Sequence, residues 1–61
     1  MDFITLDELQ THSSFNDCWV SIFGEVFDIT EFISKHPGGA SVFLGNMGKD
    51  ITLQFRNFAF N

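Results

Sequence analysis

The sequence predicts a small α+β fold in which a short β-hairpin packs on about four short helices. Apolar, aromatic and β-branched residues dominate 18–23 and 26–29, and Gly24-Glu25 between them is typical of a tight turn. Residues 13–17 are polar and are expected to form a turn before the first strand. Capping residues precede apolar segments on both sides of the hairpin. Because the chain has 61 residues, we expect a single domain over 1–61.

Capping residues predict the two helices that flank the hairpin. Thr5 and Glu8 have the spacing of a capping box, so a helix is expected from residue 6 to about residue 11. Thr30 is the expected N-cap of a second helix that runs to residue 34 or 35. This helix is expected to end before the next proline, since proline disfavours helical geometry at the residue that precedes it.

Two more short helices are predicted in the second half of the chain. Residues 40–44 fit one or two helical turns, with Gly45 as the C-terminal stop. Asp50 is the expected N-cap of a last helix from residue 51 to about residue 57, and 59–61 is expected to be a short tail.

The charge balance restricts the partners that the protein can have. Eight acidic residues against three basic ones give a net charge of −5, which argues against nucleic-acid binding and favours a basic protein partner. We expect no membrane span, because no segment is long and apolar enough. The lone Cys18 is expected to be a small buried residue in a reducing compartment. The first residues lack the features of a signal peptide, so a cytoplasmic location is expected.

The motif His36-Pro37-Gly38-Gly39 lies between the second and third predicted helices. Trp19-Val20 and the segment 26–32 precede it. The motif is followed by Gly48, Asp50, Thr52 and Phe55. Together these motifs, over residues 4–60, resemble the cytochrome b5 family, a haem-binding electron-transfer fold.

The resemblance implies haem b as cofactor and His36 as an axial ligand of its iron. The second ring nitrogen of His36 would donate to the carbonyl of Gly38 or Gly39, in a turn that Pro37 restricts. The expected pocket lining is Phe32, Ile33, Val42, Phe43, Ile51, Phe55 and Phe58.

The resemblance places the family's second axial histidine at Phe60, which cannot bind iron. Met47 is a weak candidate for the missing ligand, while His12 is expected to cap the first helix. Otherwise a second protomer supplies the missing ligand, or the iron is five-coordinate. Alternatively, Phe58 and Phe60 fill the pocket in a haem-free domain. The family's closing helix and final strand have no counterpart in the sequence, so the fold is expected to be truncated or the chain to be a fragment.

The predicted function is electron transfer through bound haem, and we expect no enzymatic activity because no catalytic set of side chains is evident. The alternative is a haem-free or five-coordinate module for haem handling or protein interaction. A homodimer through the truncated pocket face is a further possibility. The expected docking face for a basic reductase or acceptor protein comprises Glu25, Asp28, Glu31 and Asp50.

Overall fold

The computed structural model describes residues 4–36, 41–43 and 45–60, and it has the expected α+β architecture. Over these residues it contains three α-helices and one 3₁₀ turn, where about four short helices were predicted. In chain order the elements are α1 (Leu6–Thr11), β1 (Ser13–Ser14), β2 (Asp17–Ile22), β3 (Glu25–Asp28), α2 (Thr30–Lys35), the 3₁₀ turn (Ser41–Phe43), β4 (Lys49–Asp50) and α3 (Thr52–Phe60).

Strand β2 is the centre of the sheet. It pairs antiparallel with β1 and β3 and parallel with β4. The hairpin register joins Ile22 to Glu25, so the turn is Phe23-Gly24 and not the predicted Gly24-Glu25. Both turn residues have positive φ, 50° and 83°, the combination that matches the twist of a two-residue hairpin.

The helix boundaries differ from the predicted ones for local reasons. Thr30 is the first residue of α2 and not its N-cap, because Asp28 Oδ1 accepts hydrogen bonds from both its N–H and its hydroxyl. Asp50 Oδ1 does cap the last helix by accepting from Thr52 N–H at 3.0 Å, so α3 begins one residue later than expected. The predicted tail at 59–61 was wrong for Ala59 and Phe60, because α3 continues to Phe60.

The hydrophobic core of the described residues is small. Its buried apolar side chains are Leu9, Cys18, Val20, Ile33 and Ile51. Cys18 is fully buried as predicted, and burial raises the pKa of its thiol, which keeps it protonated and unreactive. Among the helices that the structure describes, none has the length and apolar character needed to cross a membrane.

His12 ends α1 as its C-cap and joins that helix to the sheet. Its Nδ1 lies 2.8 Å from both carboxylate oxygens of Asp17, and its Nε2 lies 2.7 Å from Oε2 of Glu8. Its ring stacks on Trp19 with 3.5 Å between centroids. Since ionised carboxylates only accept hydrogen bonds, this arrangement requires both ring nitrogens to carry protons.

We expect the stability of the domain to depend on pH through His12. Hydrogen bonds to Asp17 and then Glu8 raise its pKa above the ordinary value of 6.5. The stabilisation is therefore complete below pH 6.5 and is lost as pH rises through the pKa of the folded state. Urea unfolding, followed by circular dichroism between pH 6 and pH 9, should show this loss in the wild type (roughly the range in which a raised histidine titrates). In His12→Gln the decline should be absent, and an unchanged decline in that variant would assign it to another group.

Candidate functional site

An apolar cavity of about 240 Å³ opens on one face of the sheet. The polar side chains in its lining are the uncharged amides of Asn46 and Gln54. Gln54 Nε2 donates to Asn46 Oδ1 across 3.4 Å. The residues that line the cavity are Val20, Ile22, Ile29, Phe32, Phe43, Asn46, Ile51, Gln54 and Phe55. A lining of this kind favours an apolar ligand with few polar contacts to the protein.

Four elements bring these residues together. Val20 and Ile22 lie two positions apart on β2, so their side chains point to the same face of the sheet. Phe32 reaches the cavity from α2, and Phe43 reaches it from the 3₁₀ turn. The rings of these two phenylalanines meet edge to face, with 6.1 Å between centroids. Phe55 contributes the wall formed by α3.

His36 is not among the residues that line this cavity, but it contacts one of them, Phe32. It is the C-cap of α2, and its backbone N–H donates to the carbonyls of Phe32 and Ile33 at 3.1 and 3.4 Å. Its exposed imidazole stacks on the ring of Phe32, with 4.7 Å between centroids. Phe32 thus contacts both the imidazole of His36 and the ring of Phe43.

Most predicted pocket residues in the described part of the chain do line the cavity. Phe32, Phe43, Ile51 and Phe55 contribute to the wall. Ile33, also expected in the lining, is not among the cavity residues and is buried in the core.

Other predicted site residues are not part of the described geometry. Met47 is half-buried in the turn before β4, and it is not among the cavity residues. Pro37, Gly38 and Gly39 lie outside the described residues, so the expected turn and its carbonyl acceptor remain predictions. Val42 and Phe58 lie on the 3₁₀ turn and α3, but their side chains are outside the described set, as is that of Phe60.

Five cavity residues were not predicted: Val20, Ile22, Ile29, Asn46 and Gln54. The alternation of Val20 and Ile22 on a strand was a usable signal, because such residues share one face. Asn46 and Gln54 gave no signal, since they are eight positions apart in sequence and meet only in the folded chain.

The cavity is open to a largely apolar ligand. Phe32 and Phe55 are 47% and 39% exposed, so these two lining rings are accessible to a ligand. Around the cavity, no group of three or more His, Cys, Asp or Glu side chains in the described residues could hold a metal ion alone. The fold and this cleft define a small α+β domain with an apolar ligand-binding site.

The family is shown by a match to the family model "Cytochrome b5-like Heme/Steroid binding domain", which covers residues 5–61. The chain therefore belongs to the cytochrome b5-like family. Membership gives haem b as the cofactor of the domain and electron transport as the role of the family. The apolar cleft and the adjacent imidazole described above fit that cofactor, because imidazole is a common axial ligand of haem iron.

Individual relatives agree with this assignment. The chain is 49% identical over 53 residues to "Cytochrome B5 isoform D" of Arabidopsis thaliana and 47% identical over 53 residues to "Cytochrome b5" of Cuscuta reflexa. Each match covers 87% of this chain but only 38% and 39% of those relatives. The fold matches "Cytochrome b5 of Ostreococcus tauri virus 2" with a TM-score of 0.78 and 36% identity, over 95% of this chain and 72% of that one.

Proposed function

We propose that this domain carries single electrons through a bound haem b whose iron is held by His36. The observation that supports the proposal is the stacking of the His36 imidazole on Phe32, a wall of the apolar cavity. When bound, haem supplies the one-electron chemistry, and the protein supplies binding and orientation. The rings of Phe32, Phe43 and Phe55, which line the cavity, would cover an apolar macrocycle and exclude water from it.

The presence or absence of a sixth iron ligand distinguishes electron transfer from haem handling. Both ring nitrogens of His12 are engaged by carboxylates, which makes that residue unsuitable as a second ligand within the same chain. This favours an iron held by His36 alone, a ligand from Met47, or one from a second protomer. A five-coordinate iron would suit haem handling better than fast electron transfer, because it leaves a position open to small ligands.

We further propose a basic redox partner, a reductase or an acceptor, and a cytoplasmic location. The net charge of −5 would steer a basic protein toward the domain. Hydrogen bonds from Thr30 lower the pKa of Asp28, and hydrogen bonds from Ser21 and Thr52 lower that of Asp50, so both carboxylates stay charged at neutral pH. Glu31 is paired with Lys35 at 3.0 Å, which reduces its contribution to the face.

Titration of the purified domain with haemin tests the proposed function. We expect saturation at one haem per chain, with a sharp absorption spectrum in both oxidation states. A low-spin spectrum would indicate two strong axial ligands, and a high-spin one that is lost in His36→Ala would identify His36 as the only protein ligand. Absence of saturable binding would contradict the proposal and leave an interaction module on the same fold.

A further inference from the structure

Hydrogen bonds join the start of α3 to β2 in a compact arrangement. Ser21 Oγ donates to Asp50 Oδ2 at 2.6 Å, and Thr52 N–H donates to Asp50 Oδ1 at 3.0 Å. Thr52 Oγ1 in turn accepts from Phe23 N–H at 2.8 Å. Ile51 N–H also donates to the carbonyl of Ser21 at 2.8 Å. We call the side chains of Ser21, Asp50 and Thr52 the helix latch.

The helix latch lies next to the cavity in sequence but does not line it. Val20 and Ile22 line the cavity from β2, and Ser21 lies between them, so its side chain points to the other face of the strand. On the second wall, Ile51, Gln54 and Phe55 line the cavity, whereas Asp50 and Thr52 do not. The latch therefore connects the two walls without contacting what lies between them.

We propose that Ser21, Asp50 and Thr52 are positioning residues that set the separation of the β2 and α3 walls and so determine how tightly haem is retained. The inference rests on the proposed haem function. β4 is only two residues long, so backbone pairing alone provides few bonds between these walls. Loss of the latch would let α3 shift against the sheet, and side chains that must fit a rigid macrocycle lose contact when their support moves.

Thr52→Val tests the proposal, because valine has nearly the shape of threonine but leaves Phe23 N–H without its acceptor. Thr5→Val is the matched control. Thr5 Oγ1 also accepts one backbone N–H, that of Glu8 at 3.0 Å, but it does so at the start of α1 and away from the cavity. Thr52→Ser keeps the hydroxyl and should behave as wild type.

The measurement is the rate of haem transfer to an excess of a haem-scavenging protein. We expect Thr52→Val to lose haem about tenfold faster than wild type, the effect of roughly one hydrogen bond. Thr5→Val should change the rate less than twofold (about the effect of a weak local bond), although it lowers stability. Equal rates in the two valine variants would overturn the proposal, as would failure of Thr52→Ser to restore retention.

Amide hydrogen exchange in the haem-free protein separates this proposal from the haem function itself. Thr52→Val should accelerate exchange at Ile51 and Phe55, whose N–H groups donate to the carbonyls of Ser21 and Ile51. Thr5→Val should leave both unchanged. If the wild type binds no haem but exchange rises as expected, the haem function and the retention role both fail, and only the coupling of β2 to α3 through Thr52 is confirmed. If haem binds but exchange and retention do not change, the latch is overturned.

Discussion

Replacing His36 by alanine should weaken haem binding by about 100-fold or more, which is the loss expected when an iron ligand worth roughly 3 kcal/mol is removed. The imidazole stacks on Phe32, a cavity residue, and the backbone of His36 is fixed by the hydrogen bonds that end α2. Alanine keeps the backbone but has no atom that can bind iron. The apolar walls at Phe43 and Phe55 remain, so weak and poorly defined haem uptake is expected to persist.

Haemin titration followed by absorption measures this effect, and His12→Ala is the matched control. His12 is engaged by Glu8 and Asp17 and stacks on Trp19, so its removal should affect stability but not the iron spectrum. A spectrum that is lost only in His36→Ala would support the assignment. Wild-type affinity in His36→Ala, or the same loss in both variants, would contradict it.

Replacing Gly48 by alanine should destabilise the domain by about 3 kcal/mol. Gly48 has φ +70°, which disfavours a side chain by roughly 1–2 kcal/mol. An added Cβ would also lie 2.8 Å from Cβ of Ser13 and 3.0 Å from the carbonyl oxygen of Leu9. A shift of the Gly48 backbone that relieved these contacts would break the hydrogen bond from Gly48 N–H to the carbonyl of Trp19, which is 2.7 Å long.

The effect is large in relation to the total stability of so short a chain. A domain of 61 residues has a free energy of unfolding of about 3–9 kcal/mol, so Gly48→Ala should leave a substantial unfolded fraction. Gly24→Ala is the matched control, since Gly24 has φ +83° but no atom within 4 Å of an added Cβ. Urea unfolding followed by circular dichroism should show a loss near 1 kcal/mol there (roughly the backbone cost alone). Equal losses in the two variants would show that the close approach at Gly48 does not matter.

The sequence by itself determined the features that depend on neighbouring residues. The capping interaction of Thr5 with Glu8 N–H, the hairpin and the second helix were predicted within one or two residues. The motif at His36 and its flanking residues indicated the family, which the family model confirms. These features were predictable because caps, turns and strand alternation depend on residues fewer than about five positions apart.

Only the tertiary structure decided how the cavity is built. β4 escaped prediction because two residues carry no periodicity, and its pairing with β2 joins Ser21 to Asp50, 29 positions away. Phe32 and Phe43 were expected to line the site, but Ile33 between them in sequence turned toward the core. The physical reason is that burial on a helix or strand face is set by what packs against it, and that packing partner comes from a distant part of the chain.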